Sequence, residues 1–154
     1  MHNCTSHNDC IADALHRAEE ICEARELRFT ELRRKVLELV WERHGPIKAY
    51  DILDKLDNRI GATKPPTVYR ALDFLTDNGL VHKINSLNAF VGCSHPLTHR
   101  ECYFLICSDC GEAKECCNSE ITDVISKTIR RNEFLTDHIT LEITGECRDC
   151  RGVH

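Results

Sequence analysis

No stretch of the 154 residues is apolar for long enough to cross a bilayer as a helix. The start, Met1-His-Asn-Cys-Thr-Ser-His7, has neither the basic region nor the apolar region of a secretory leader. A cytoplasmic, reducing compartment and no membrane partner are therefore expected. Also missing are a nucleophile elbow, a His-Glu-x-x-His pair and a glycine-rich phosphate loop. The expectation is a protein that is not an enzyme and has no small-molecule substrate. An excess of positive charge is lacking too, since the formal net charge is −5. Residues 1–92 carry 13 basic against 14 acidic side chains and the remainder 7 against 11, so any site for a polyanion must be a local patch on the first half.

Cysteine, in contrast, is abundant, at eleven residues, and in a reducing compartment these have to be explained mainly as thiols or metal ligands. Cys107-Ser-Asp-Cys110 and Cys147-Arg-Asp-Cys150 are two Cys-x-x-Cys pairs, and each pair lets two thiolates converge on one ion. One such pair alone reads equally well as a redox motif, and many cysteines read as a disulfide framework. Two pairs among polar turn residues, with no leader, point to a structural zinc ion clipping together segments far apart in the chain. Four protein sulfurs leave no open position for catalysis. His2, Cys4, His7 and Cys10 near the start have ligand chemistry as well, but residues 1–9 read as a flexible arm.

The apolar spacing then lays out helices. Ile11, Leu15, Ala18, Ile21 and Cys22 share one face of a first helix ending near Glu26, with Cys22 in the core. Thr30 is placed to cap a second, with the stripe Leu32, Val36, Leu39 and Val40, a stop at His44-Gly-Pro46, and Arg33, Arg34 and Lys35 on the other face. A third runs from about Ala49 to Leu56 with Tyr50, Leu53 and Leu56 inward. The fourth, Lys64-Pro-Pro-Thr-Val-Tyr-Arg-Ala-Leu-Asp-Phe-Leu-Thr-Asp-Asn-Gly79, opens on prolines tolerated in a first turn and closes on a glycine. Its Val68, Ala71, Leu72 and Leu75 face inward, which leaves Lys64, Thr67, Tyr69 and Arg70 at the N-terminal tip, as in a recognition helix entering a major groove.

Leu80–Ile84 and Ala89–Gly92 around Asn85-Ser86 read as a hairpin, and helices followed by a hairpin make a winged helix over 1–92. Residues 93–101 read as a linker carrying metal ligands. In 102–154 a strand at Tyr103–Ile106, a strand at Glu112–Glu115, a helix capped by Ser119 with Ile121, Val124, Ile125 and Ile129, and a strand alternating through Ile139, Leu141 and Ile143 describe a small α/β module. A module of this size completes its core by pairing with a second copy. The fold class expected is α+β: an N-terminal winged-helix DNA-binding domain and a C-terminal dimerisation domain with a structural zinc site.

A second group of ligand-type residues, His82, Cys93, His95, His99, Cys102 and Glu115, surrounds the junction of the two halves in the sequence. Lys64-Pro-Pro-Thr-Val-Tyr-Arg-Ala-Leu-Asp-Phe-Leu75, Gly79-Leu-Val-His-Lys83 and the two cysteine pairs together resemble the ferric uptake regulator family, most closely its zinc uptake regulator branch, from about Ala18 to Cys150. The resemblance implies a homodimeric repressor that binds double-stranded operator DNA when loaded with zinc. It selects His82, Cys93, His99 and Glu115 as ligands of a regulatory zinc. His95 is the alternative to His99, because the segment from His99 to Cys107 is one residue longer than in similar sequences. His138 matches a further metal position of the family and is a secondary candidate, while Cys102, Cys116 and Cys117 read as extra thiols.

One regulatory ion held by ligands from both halves is expected to set the spacing of two recognition helices, making zinc a corepressor. An iron or peroxide sensor of the same family is the alternative, disfavoured by the Cys93 thiolate. Outside the class stands a zinc-stabilised protein-interaction module, which has no use for the exposed Thr-Val-Tyr-Arg tip.

Overall fold

The computed structural model describes residues 7–43, 45–60, 63–96, 102–137 and 139–152, and the helical periodicities of the first half become four helices. Helix α1, His7–Ala24, buries Ala14, Ala18 and Cys22, one position per turn, and these small side chains let it lie close to its neighbours. It closes at a left-handed Glu26, with the Leu27 amide bonded to the Cys22 carbonyl at 2.8 Å. Residues 7–9, read as part of a flexible arm, are instead its first turn. The rest of the arm, with His2 and Cys4, lies outside the described residues, as does His44.

Helix α2, Glu31–Trp41, starts where Thr30 accepts a hydrogen bond from the Arg33 amide. Its Val36, Leu37, Leu39 and Val40 are buried against Ile52 and Leu56 of α3, Ala49–Ile60, and Val68, Leu72 and Leu75 of α4, Pro65–Asp77. The cations on the outer face of α2 are not an idle basic patch. Arg33 lies 3.5 Å from the centroid of the Phe74 ring, and Arg34 pairs with Glu19.

One expectation for α3 is corrected. Tyr50 is 70% exposed, because Ile52 rather than Tyr50 joins Leu56 on the buried stripe.

Gly79, at φ +74°, ends α4. The Gly79 amide bonds to Thr76 at 3.0 Å and the Leu80 amide to Leu75 at 2.9 Å, so the chain turns in the shortest path from α4 into strand β1, Val81–Ile84. Strand β1 pairs antiparallel with β2, Ala89–Gly92, in the register Val81↔Gly92 to Ile84↔Ala89. Ile47 adds a third strand position, exchanging two backbone bonds with Phe90. Gly92 packs against the Trp41 indole so closely that a Cβ there would collide with the ring.

The chain divides into two compact units, Met1–Ser94 and His95–His154. In the second, β3, Cys102–Cys107, is central. It pairs antiparallel with β4, Ala113–Cys117, and parallel with β5, Glu142–Gly145. Helix α5, Ser119–Arg131, lies between β4 and β5 in sequence, and its cap is Asn118, whose side chain accepts from the Glu120 amide at 2.8 Å. Ser119, expected to cap, is the first helical residue. The alternating run begun at Ile139 pairs as a strand only from Glu142. The expected α+β class therefore stands, with a winged helix first and a three-stranded sheet with one helix second.

Candidate metal centres and nucleic-acid interface

The two Cys-x-x-Cys pairs are carried by matching turns at the same end of the second unit's sheet. Cys107 ends β3, and the Gly111 amide bonds back to its carbonyl at 3.0 Å. Cys147 lies two residues beyond β5, and the Arg151 amide does the same to its carbonyl. Because β3 and β5 run parallel, both turns emerge side by side, and Ser108 ties them through its amide and its hydroxyl to the Gly145 carbonyl, at 2.8 and 3.1 Å. A left-handed Gly111, at φ +71°, lets the first turn return into β4.

The result is four sulfurs, from Cys107, Cys110, Cys147 and Cys150, all within 4.8 Å of one another. Cys110 and Cys147 are 3.9 Å apart. Ligands 2.3 Å from a tetrahedral zinc lie roughly 3.8 Å from each other, so the cluster has the right size for that ion.

Its electrostatics fit as well. The Cys110 and Cys147 amides, the latter 3.3 Å from the sulfur, hold the Cys107 thiol down from 9.0 to about 6. Cys150 is driven the other way, by Cys147 first and then Cys107, because neighbouring sulfurs favour its protonated form. A dication held by these four residues would resolve that conflict by favouring all four as thiolates.

In the first unit, His82 and Cys93 meet. The register pairs His82 with Val91, and the Cys93 amide bonds to the Leu80 carbonyl at 3.0 Å, which places residues 82 and 93 on one face of the hairpin. Both are buried, at 7% and 3% exposure, with the imidazole nitrogen and the sulfur within 4.8 Å. In the second unit Glu115, on β4, points to the same side as Cys117, and both stand beside His95. His99 and His138 lie outside the described residues.

Two of the cysteines read as extra thiols are not free. Cys102 and Cys117, opposite each other on β3 and β4, form a disulfide, and Cys10 is also disulfide-bonded, whereas Cys116 is a free thiol. Sequence alone could not find the Cys102–Cys117 bridge, because it depends on the register of two strands.

At the tip of α4, Lys64, Thr67, Tyr69 and Arg70 are all exposed, while Val68, Ala71, Leu72 and Leu75 are buried. The helix therefore holds itself in the core with one face and offers cationic, hydroxyl and aromatic groups at its N-terminal end. No helix among the described residues is long and apolar enough to cross a membrane. Tyr50, which the helical period assigned to the core, is a further exposed ring near the start of α3 and a contact candidate that the spacing concealed.

The sequence profile of the ferric uptake regulator family matches residues 24–144. The chain belongs to the ferric uptake regulator family. Within the family it is similar to the zinc uptake regulation protein of Escherichia coli (strain K12), at 41% identity over 141 residues, or 90% of this chain and 81% of that protein. Among solved structures, a zinc uptake regulator complexed with zinc and DNA superposes with a TM-score of 0.87 at 38% identity, covering 93% of this chain and 96% of the other. The crystal structure of holo XcZur matches with a TM-score of 0.83 at 38% identity over 90% and 97% of the two chains. Members of this family are transcriptional regulators, and a winged helix followed by a four-cysteine cluster of the size that suits zinc fits that role.

Proposed function

We propose that the chain is a zinc-responsive transcriptional repressor that binds operator DNA as a zinc-loaded homodimer and controls genes for zinc uptake. The observation that carries this reading is the match, over nearly the whole chain, to a zinc uptake regulator holding both zinc and DNA. The compartment proposed is the cytoplasm, where a DNA-binding regulator meets its operator.

In this proposal Cys107, Cys110, Cys147 and Cys150 hold a structural zinc. His82, Cys93, His99 and Glu115 take the regulatory ion, and Lys64, Thr67, Tyr69 and Arg70 contact DNA. A closed shell of four sulfurs keeps the first ion, whereas a mixed set of imidazole, thiolate and carboxylate exchanges its ion as free zinc changes. The regulatory ion acts by binding the DNA-competent state more tightly than its alternative and so shifting the population toward it. The thiolate of Cys93 favours zinc over iron, which ranks an iron- or peroxide-responsive regulator below this reading.

The experiment is operator binding titrated with zinc and reversed by a chelator, on wild type and single variants. Cys93→Ser is expected to keep the fold and the structural zinc yet lose the response, with operator affinity at saturating zinc about tenfold or more weaker. His99→Ala should behave the same way, and His95→Ala should keep its response. Zinc-independent binding by the wild type sinks the proposal, and a lost response in His95→Ala alone moves the ligand from residue 99 to residue 95.

A further inference from the structure

We infer that His95, Glu115 and Cys117 form an additional zinc site, separate from the four-cysteine cluster, and that Cys102 switches it off by forming a disulfide with Cys117. Three observations within the second unit carry this. First, Glu115 and Cys117 are two residues apart on β4, so strand geometry sends both side chains to one face, and His95 meets them there. Second, the donor atoms converge. The His95 Nδ1 is 3.6 Å from the Cys117 sulfur and 3.9 Å from Glu115 Oε1, and that oxygen is 4.0 Å from the sulfur. Donors bound at 2.0–2.3 Å to one tetrahedral zinc are roughly 3.3–3.8 Å apart, so a contraction of a few tenths of an ångström brings these three to ligand spacing. The Glu115 side chain is almost fully buried while His95 is open to solvent, so the site has a fixed carboxylate floor and an accessible side for the ion to enter.

Third, the sulfur this site needs is the one that Cys102 occupies in the disulfide. Within a reducing compartment a cross-strand disulfide is a switch rather than a staple. With hydrogen peroxide as the oxidant, the Cys117 thiolate displaces hydroxide from the peroxide to give a sulfenic acid, and the Cys102 thiol then attacks that sulfur and expels water. Two thiols and one peroxide become one disulfide and two waters. The zinc loses its only soft ligand and leaves. Three protein donors keep a fourth position for water, so this ion exchanges more readily than the one in the closed cluster.

Glu115 also belongs to the regulatory set proposed above, so the test has to tell the two readings apart. Zinc per protomer is measured on the full-length reduced protein at fixed free zinc, with cobalt substitution to follow the thiolate-to-metal absorption. Cys117→Ala and His95→Ala should each lose one equivalent relative to wild type, whereas Cys93→Ser loses a different one, so that the Cys93→Ser, Cys117→Ala double variant loses two. Peroxide should release one equivalent from wild type as two thiols disappear, and the same treatment of Cys102→Ser should not produce the internal disulfide. Wild-type metal content in both Cys117→Ala and His95→Ala overturns the site. Disulfide formation without zinc release overturns the switch. A failure confined to Cys93→Ser counts against the regulatory proposal only.

Discussion

The two units hold themselves together by different means. In the first, four helices and a hairpin enclose a continuous core in which Leu37, Leu39, Ile52, Leu56, Leu72 and Leu75 are almost wholly removed from water. In the second, α5 buries none of its residues, and Val124, Phe134, Leu135, Ile139 and Ile143 are exposed in the single chain, Leu135 by 94%. Apolar side chains at that exposure mark a surface meant to be covered. What the second unit lacks in core it is expected to replace by a zinc clip across 40 residues of chain, from Cys107 to Cys147, and by the second copy of a homodimer. The first unit is therefore expected to be stable by its own core, and the second to depend on its metal and its partner copy.

The sharpest way to break that contrast is to open the clip. Cys107→Ser or Cys147→Ser removes one of four sulfurs from a site whose ion contributes roughly 10–16 kcal/mol in comparable small domains. Loss of the structural zinc and of the dimer is expected by metal analysis and sedimentation, with the helical signal of the first unit retained. A stable dimer with normal zinc content shows that the second unit has a core of its own.

Core truncation is the converse operation. Leu72→Ala leaves zinc content and pairing alone but should destabilise the first unit by about 2–5 kcal/mol in denaturant unfolding. If the zinc content falls instead, the units are not energetically separate. Smaller still is Arg70→Ala, which should weaken operator binding by about 1–3 kcal/mol at matched salt without altering zinc content, dimerisation or unfolding. Unchanged affinity takes Arg70 out of the interface.

The same contrast decides what could be read from the sequence. Where burial is complete, the period is clear, and the buried face of α4 was legible residue by residue in Val68, Ala71, Leu72 and Leu75. So was the Thr30 cap, because a hydroxyl before a helical stripe has one local role. The four cysteines were legible as a group because Cys-x-x-Cys is a local motif, although their meeting depends on β3 and β5 lying parallel.

The misreadings arose where a residue's environment is set by distant chain. Tyr50 lies near enough in helical phase to Leu53 to look buried, yet it is largely exposed. Asn118 and Ser119 are both good caps, and only the position of the first turn chooses between them. The Cys102–Cys117 bridge and its His95 neighbour required a strand register that no pattern in the residues announces.

One hydrogen bond gives the molecule a short lever. The Cys93 amide is fastened to the Leu80 carbonyl, and Leu80 is itself fastened to the last turn of α4 through its own amide. A buried thiol with metal-binding chemistry is thus one stiff link away from the end of the helix that carries Arg70. Leu80 directly precedes β1, so a displacement at Cys93 is expected to reach that helix through two backbone hydrogen bonds. An insertion in the turn at residues 85–88 should leave this coupling intact, whereas a single residue added between Gly79 and Val81 would let the lever slip and disconnect grip from reading.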